Sequence, residues 1–335
     1  MNLRRAAVKF LGALALAAGL GVATPTPASA AEVIKIGTLA PGPSPWGQVF
    51  KVWAEAVSKK SNGALELQFF YNGQQGDEAA MVGKMKAGQL DGAAVTAVGL
   101  GKIFKPINAL QMPGLFTTWA KLDAARDALK GDFEKGAKDG GFTIVGWGDV
   151  GAVHLLTKGF AVKVPDDIKG KKPYMWRDDD SQPILYQVIG GVTPVPLNVP
   201  EVLPQLNTGA INIVNAPSLA AEQLQWSSKL DTINDDVSAM AVGALVVSSK
   251  RIEGLSEELR NVLLDTGRIA ANALTKRIRA EDDAAFARLK GKMTVVTLSP
   301  DEKAKWDAIF KQTRVRLAQG TYPADLVAKL EALAR

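Results

Sequence analysis

The chain has 335 residues, 47% of them hydrophobic, a formal net charge of +6 and no cysteine. The missing cysteines exclude disulfides, thiol catalysis and Cys-ligated metal sites, and the single histidine, His154, argues against a His-based metal centre or a catalytic triad. Because His154 lies inside the apolar run 152–156, we expect it to have a hydrogen-bonded structural or pocket-lining role.

Residues 1–30 predict a cleavable secretory signal peptide. A basic head at 4–9 precedes an almost wholly apolar core at 10–22, and Ala28-Ser29-Ala30 offers the small residues that a signal peptidase requires. A retained membrane anchor is the weaker alternative, because a core of about 13 residues is shorter than the roughly 20 that span a bilayer. We therefore expect a mature protein that begins near Ala31 and works in the periplasm. Its net charge is +3, since the peptide removes three of the cations, and it has no basic tract that would favour nucleic acid.

The mature chain opens with a predicted β-α-β-α-β unit. Ser44 and Pro45 mark the start of its first helix, as an N-cap and a first-turn proline. The strands are short and continuously apolar, which is typical of a buried parallel sheet. The predicted strands are 33–37, 65–71 and 91–95, and the predicted helices are 46–60 and 77–87.

A second unit of the same kind follows, which argues for two similar lobes. Its predicted strands are 172–176, 192–197 and 211–214, and its predicted helices are 180–189 and 199–206. The apolar runs 142–147, 152–157 and 239–248 are also predicted strands, and the last two are natural hinge strands between the lobes. Helices are predicted at 256–290, 300–319 and 323–334.

Aromatic and amide side chains gather at or just after the predicted strand ends. Open parallel α/β sheets bind ligands at the carboxyl ends of their strands, so we take these side chains as candidate ligand-binding residues, with core packing as the alternative for each tryptophan. They are Trp46, Tyr71, Asn72, Gln74, Gln75, Trp147, Tyr174, Trp176, Arg177 and Asn215. A secreted α/β hydrolase or lyase is the rival class, but the sequence offers no nucleophile elbow or acid–base motif for one. We expect no catalytic residues, no metal and no cofactor.

Six different short motifs follow one another along the chain. They are IGTLAP at 36–41 with PWG at 45–47, YNGQQGDE at 71–78, MKAGQLDG at 85–92, MPGLF at 112–116, VPDDIKGKK at 164–172 and LNTGAI at 206–211. On these motifs the chain resembles the DctP-type solute receptors of tripartite ATP-independent periplasmic (TRAP) transporters, over essentially its whole mature length.

The resemblance implies an α/β periplasmic binding protein (type II-like) with two lobes, hinge strands and long C-terminal helices. Such a receptor closes over a small molecule and hands it to integral membrane permease subunits, and it is not an enzyme. We expect a monomer. We expect lobe I at 31–153 plus 245–300, lobe II at 154–244, and C-terminal helices that pack on the lobes at 301–335.

One departure from the family bears on the ligand. The family usually carries an arginine shortly after Lys-Gly-x-Lys, and its guanidinium clamps a substrate carboxylate. Here Lys169-Gly170-Lys171-Lys172 leads to Tyr174 at that position, and Arg177 follows beside the acidic triplet 178–180. If Arg177 pairs with one of these acids, the pocket suits a hydrophobic or lipid-like ligand, which we favour because 212–220 is small and apolar. If Arg177 replaces the clamp, a dicarboxylate or a 2-oxo acid fits.

The acidic triplet itself has two interpretations. Its carboxylates could form a cation site. We favour the other interpretation, in which they are N-cap and first-turn acids of a helix, stabilised by the helix dipole.

Overall fold

Ten strands and eleven α-helices lie along residues 30–335, the part of the chain that a computed structural model describes. The predicted signal peptide lies outside the described residues, apart from its last alanine. The strands are β1 (Glu32–Thr38), β2 (Leu65–Phe70), β3 (Gly92–Thr96), β4 (Phe142–Thr157), β5 (Tyr174–Trp176), β6 (Val195–Leu197), β7 (Ile213–Pro217), β8 (Thr232–Asn234), β9 (Ala239–Ser248) and β10 (Thr294–Val296). The helices are α1 (Pro45–Lys60), α2 (Glu78–Lys86), α3 (Ala97–Gly101), α4 (Trp119–Asp139), α5 (Gln182–Ile189), α6 (Val199–Thr208), α7 (Ser218–Gln223), α8 (Ser249–Glu253), α9 (Glu257–Lys290), α10 (Pro300–Leu317) and α11 (Ala324–Leu333).

The larger sheet confirms the first predicted unit. β1 pairs in parallel with β2 on one side and with β3 on the other, and it buries Ile34 and Ile36. The strand order is β10-β8-β4-β9-β3-β1-β2, and β7 also pairs with β4. β9 runs antiparallel to both β3 and β4, so the parallel set formed by β2, β1 and β3 ends at β3.

β4 is a single strand of 16 residues, so the prediction of two strands at 142–147 and 152–157 was wrong. It pairs with β9 from Phe142 to Val153, and its register shifts between Ile144 and Gly146 and again between Asp149 and Gly151. Such shifts mark β-bulges, which bend a strand without ending it. Residues 148–151, which separate the two apolar runs in the sequence, therefore lie within one bent strand.

The second predicted unit differs from the first in its pairing. β5 and β6 form a separate parallel pair. β7 instead runs antiparallel to β4. On the side of β5, its only pairing among the described residues is an isolated parallel bridge from Ile213 to Pro173. β10 pairs in parallel with β8, which places residues 294–296 beside the second unit.

Helix starts follow the capping residues of the sequence. The Ser44 side chain accepts from Gly47 N at the start of α1, and Ser256 does the same for Leu259 N at the start of α9. The helices α3, α4, α7 and α8 and the short strands β8 and β10 have no predicted counterpart. Among residues 30–335, no helix is long and apolar enough to cross a membrane.

The molecule has two lobes that share β4 and β9. We call lobe I the elements β1–β3 with α1–α4, and lobe II the elements β5–β8 with α5–α7. Trp53 and Phe133 are fully buried side chains of lobe I, and Val202 and Ile233 are buried in lobe II. α10 packs against α5, and α11 packs against α4, so the C-terminal helices contact both lobes.

Candidate ligand site

A cavity of about 750 Å³ lies between the two lobes and the strands that join them. Lobe I contributes the end of β1, the first turn of α1 and Glu78, and lobe II contributes the ends of β5 and β7. α10 closes a further side. The aromatic residues of its lining are Trp46, Phe50, Tyr174, Trp176, Tyr186, Trp226, Trp306 and Phe310. A cavity of this size with such walls is typical of a small-molecule site.

Four of the candidate residues line this cavity, namely Trp46, Tyr174, Trp176 and Asn215. Tyr174 is buried, its ring packs edge-on against Trp226 at 5.9 Å, and its hydroxyl has no hydrogen-bond partner within the described residues. Burial raises the pKa of Tyr174 well above its usual value, so the hydroxyl stays protonated. The indole N–H groups of the two tryptophans, by contrast, are hydrogen-bonded. Trp46 Nε1 donates to Asp149 O at 3.5 Å, and Trp176 Nε1 donates to Asp77 Oδ2 at 3.1 Å.

The four candidates from the motif after β2 do not line the cavity. Tyr71 stacks on Phe69 with ring centres 5.8 Å apart, and Gln75 Oε1 accepts from Lys84 Nζ at 2.9 Å. Asn72 has a φ of 56°, in the left-handed region that asparagine tolerates in turns. Gln74 belongs to the same turn, in which its N–H donates to Tyr71 O. This segment therefore forms a tight turn beside the cavity.

Trp147 also lies away from the cavity. Its indole Nε1 donates to Glu134 Oε1 at 3.0 Å, and its ring packs against Phe133, both on α4. Side chains alternate between the two faces of a strand, and the neighbours Gly146 and Gly148 face Ala271 and Leu274 of α9, on the opposite side of β4. Trp147 faces α4.

Arg177 lies outside the cavity lining, and its side chain is 48% exposed. It donates to Glu201 Oε2 at 3.2 Å and to Pro196 O at 3.3 Å. The expectation that Arg177 pairs with an acid of 178–180 was wrong, because the partner is Glu201 on α6. The sequence could not indicate this partner, since β5 and α6 meet only in the folded lobe.

The acidic triplet divides into two roles. Asp179 accepts from the N–H groups of Ser181 and Gln182 at 2.6 and 3.2 Å and so binds the free N–H groups at the start of α5. It lies ahead of the N-cap, Ser181, and the first turn of α5 holds no acid, so the predicted N-cap and first-turn positions were wrong. Asp178 and Asp180 instead point to lobe I, where each lies 3.8 Å from a lysine Nζ, those of Lys102 and Lys105 respectively.

Glu78 is a buried carboxyl group in the cavity wall that the sequence analysis missed. It accepts from Thr96 N and Thr96 Oγ1, both at 2.8 Å, and from Gly99 N at 2.7 Å. Burial raises the pKa of Glu78 to about 8, although these hydrogen bonds act in the opposite direction. A Cβ at Gly99 would lie 2.7 Å from Glu78 Oε2, so this close approach requires glycine.

α10 supplies a face of the cavity that the sequence analysis also missed. Its side chains at 303, 306, 307 and 310 share one face by helical spacing, and all four line the cavity. Of the described residues that line the cavity, Lys303 is the one with a basic side chain, and it forms an ion pair with Asp236. The spacing was readable in the sequence, but nothing there indicates which surface this face meets.

His154 has a hydrogen-bonded structural role, as expected. Its Nδ1 lies 3.0 Å from Asn234 O, and its ring stacks on Phe286 with centres 4.1 Å apart. Burial lowers the pKa of His154, which keeps the ring neutral. It does not line the cavity.

Comparisons with known proteins agree on one family. The family model described as bacterial extracellular solute-binding protein, family 7, matches residues 36–319. The 2,3-diketo-L-gulonate-binding periplasmic protein of Escherichia coli is 24% identical over 269 residues, which cover 79% of this chain and 80% of that protein. The sialic acid-binding periplasmic protein of Vibrio cholerae is 20% identical over 312 residues, which cover 91% of this chain and 94% of the relative.

Solved structures share the fold. A TRAP periplasmic solute-binding protein from Sulfurospirillum deleyianum with bound succinate superposes with a TM-score of 0.84 at 18% identity, covering 91% of this chain and 99% of that one. The sugar acid-binding protein of Advenella mimigardefordensis in complex with galactonate gives the same TM-score and identity, over 91% of this chain and 98% of that one. The chain therefore belongs to family 7 of the bacterial extracellular solute-binding proteins and is a TRAP-type solute receptor, not an enzyme.

Proposed function

We propose that this receptor captures a molecule with a largely apolar body between its lobes and delivers it to the permease subunits of a TRAP transporter. The observation that carries the proposal is the charge of the cavity wall. Of the described residues in this wall, Lys303 is the one with a basic side chain, and it is already paired with Asp236, whereas Asp179, Asp235 and Asp307 add further carboxyl groups. Glu78 adds little negative charge, because its pKa of about 8 keeps it mostly protonated at neutral pH.

A carboxylate needs a cation or several hydrogen-bond donors when it leaves water. Arg177, the expected clamp, faces Glu201 at the surface. The aromatic walls offer apolar area instead, and each buried aromatic side chain contributes strongly to the binding of an apolar ligand. The unpartnered hydroxyl of Tyr174 is available for a single polar group.

A carboxylate receptor is the second candidate. It is favoured by the relatives, since proteins of the same fold were solved with bound succinate and galactonate. In this chain such a ligand would have to use Lys303 and neutral donors such as Tyr174, because Arg177 is out of reach.

We also propose how the chain is processed and how it is divided between the two lobes. Export would remove residues 1–30, and the mature chain would act as a monomer in the periplasm. Lobe I would span 31–153 plus most of 245–300, and lobe II 154–244. The pairing of β10 with β8 supports moving 294–296 to lobe II.

Calorimetry with purified protein tests the ligand class. Succinate and galactonate serve as carboxylate probes, and a monoacylglycerol and a prenyl alcohol serve as neutral apolar probes. We expect binding of a neutral apolar probe and no measurable binding of succinate or galactonate. Tight binding of either carboxylate overturns the apolar proposal.

Two variants identify the part of the cavity that a carboxylate uses. Lys303→Met removes the basic side chain of the lining, and Lys305→Met is the matched control on the same helix, outside the lining. A carboxylate whose affinity falls in Lys303→Met but not in Lys305→Met would establish the second candidate. Equal affinity for the apolar probe in both variants supports the first.

A further inference from the structure

The edge of the cavity holds a set of polar contacts between the two lobes. Asp77, before α2 in lobe I, accepts from Trp176 Nε1 at 3.1 Å and from Val199 N at 2.8 Å, both in lobe II. Nearby, the ion pairs Lys102–Asp178 and Lys105–Asp180 cross between the same lobes, each at 3.8 Å. We call these contacts the clasp.

We propose that the clasp is the device that holds the lobes together over the ligand, with Asp77 as its central positioning residue. This inference rests on the proposed function in one respect, since it requires lobes that open and close around a ligand. It also assigns a role to Asp178 and Asp180 of the acidic triplet.

Asp77 is suited to this task by its position at two helix N-termini. Its Oδ1 accepts from Glu78 N at 2.6 Å as the N-cap of α2, while its Oδ2 accepts from Val199 N, the first residue of α6. Free N–H groups and the helix dipole make a helix N-terminus favourable for a carboxylate. One carboxylate therefore joins the ends of two helices that belong to different lobes, and only the contact with α2 survives when the lobes separate.

The clasp also couples closure to the cavity. Trp176 and Val199, which bind Asp77, both line the cavity, and so does Glu78, the residue after Asp77. A ligand that packs against Trp176 would hold its indole in place for the hydrogen bond to Asp77. The two lysine pairs are partly exposed, so they contribute an attraction that salt weakens.

Separation of the lobes can be measured without a ligand. The chain has no cysteine, so Gln89→Cys in lobe I and Gln187→Cys in lobe II, both exposed, provide two unique sites for spin labels. Pulsed electron paramagnetic resonance then gives the distribution of distances between the labels. We expect a short distance that matches this structure, together with a longer one.

Variants in this labelled background separate the clasp from helix capping. Asp77→Ser keeps an N-cap for α2, since serine is a good N-cap, but its side chain is too short to reach Trp176 and Val199. Trp176→Phe removes one donor and keeps an aromatic ring. We expect the ratio of short to long distances to fall about tenfold in Asp77→Ser, as for lost hydrogen bonds to a charged group, and by less in Trp176→Phe.

Asp167→Asn is the matched control, because Asp167 accepts from the N–H groups of Lys163 and Val164 within a single lobe. It should leave the distance ratio unchanged. The double variant Lys102→Met/Lys105→Met should abolish the salt dependence of the ratio. Equal ratios in the wild type and Asp77→Ser, with both proteins folded by circular dichroism, overturn the clasp whatever ligand the receptor binds.

Discussion

At the scale of single residues, the role of Arg177 is decided by what lies within its reach. Its guanidinium is half exposed and divides its hydrogen bonds between Glu201 Oε2 and Pro196 O, both in lobe II. Glu201 also accepts from Asn198 N at 2.6 Å, in the capping box of α6. Arg177 therefore supports the start of α6 and does not face the cavity.

We predict that Arg177→Ala changes the affinity for any calorimetric probe by less than about threefold. It should lower the free energy of unfolding by no more than about 1 kcal/mol, because exposed ion pairs contribute little. Calorimetry and urea denaturation measure the two effects. A loss of affinity of more than about tenfold for succinate would restore Arg177 as a carboxylate clamp.

Asp282 is a buried carboxyl group where α9 meets the bend of β4. It accepts from Ala152 N and from Leu219 N, both at 2.8 Å. Burial raises the pKa of Asp282 to about 6, and the negative charges of Asp283 and Glu222 add to the effect. The folded state thus binds the carboxyl proton of Asp282 more tightly than the unfolded state does.

This shift predicts a stability component that is fully present below about pH 4, the range of an unfolded aspartate, and lost as the pH rises through about 6. A shift of about two units corresponds to roughly 3 kcal/mol. The unfolding free energy of the wild type minus that of Asp282→Asn should therefore increase by about this amount from pH 7 to pH 4. Urea denaturation at both values measures it, and a difference independent of pH would contradict the assignment.

At the scale of elements, the contact between β4 and α9 depends on glycine. A Cβ at Gly267 of α9 would lie 2.1 Å from Val145 Cγ1, and a Cβ at Gly146 of β4 would lie 2.3 Å from Ala271 Cβ. These distances are far below ordinary carbon contacts. The long helix can therefore lie directly on the strand that joins the lobes.

We predict that Gly267→Ala lowers the free energy of unfolding by about 1–3 kcal/mol, as overpacking of a core does. Gly131→Ala in α4 is the matched control, since a Cβ there meets nothing within 4 Å. The control should be neutral or stabilising by up to about 1 kcal/mol, because alanine is the better helix former. Urea denaturation compares the two, and equal effects would contradict the close packing.

The elements that the sequence predicts well are those with local signals. α1 and α9 begin after serine N-caps, and β9 is a continuous apolar run, so each is predicted to within a residue or two. β4 was predicted as two strands because residues 148–151 interrupt its apolar sequence. The pairing of β7 with β4 instead of β5 depends on contacts between distant parts of the chain, which a local pattern does not contain.

The same limit applies to the candidate site. Trp46, Tyr174, Trp176 and Asn215 line the cavity, but only Trp176 stands at the end of a strand, since Tyr174 begins β5, Asn215 lies within β7 and Trp46 belongs to α1. Trp147 lies in the middle of β4 and faces α4. The face of α10 comes from a helix distant in sequence, so its part in the cavity is visible only in three dimensions.

At the scale of the whole molecule, β4 and β9 are the paths that join the lobes. Within β4, the Asp149 side chain is held by Arg126 and Arg279, whose atoms lie 2.7 Å from its oxygens. Gly151 follows the second register shift of β4 and has a φ of 144°. Just beyond it, Asp282 accepts a hydrogen bond from Ala152 N. The strand is therefore anchored on both sides of one bend.

We predict that a bound ligand closes the lobes about this bend. A ligand that contacts both lobes binds the closed state more tightly, so it shifts the population toward that state in proportion to the difference in affinity. The radius of gyration from small-angle X-ray scattering should fall when the probe that binds in calorimetry is added at saturation. A probe that does not bind is the control and should leave the profile unchanged. Asp77→Ser should still close with the ligand but require a higher concentration, because the clasp no longer favours the closed state. An identical radius with and without saturating ligand would contradict a hinged receptor.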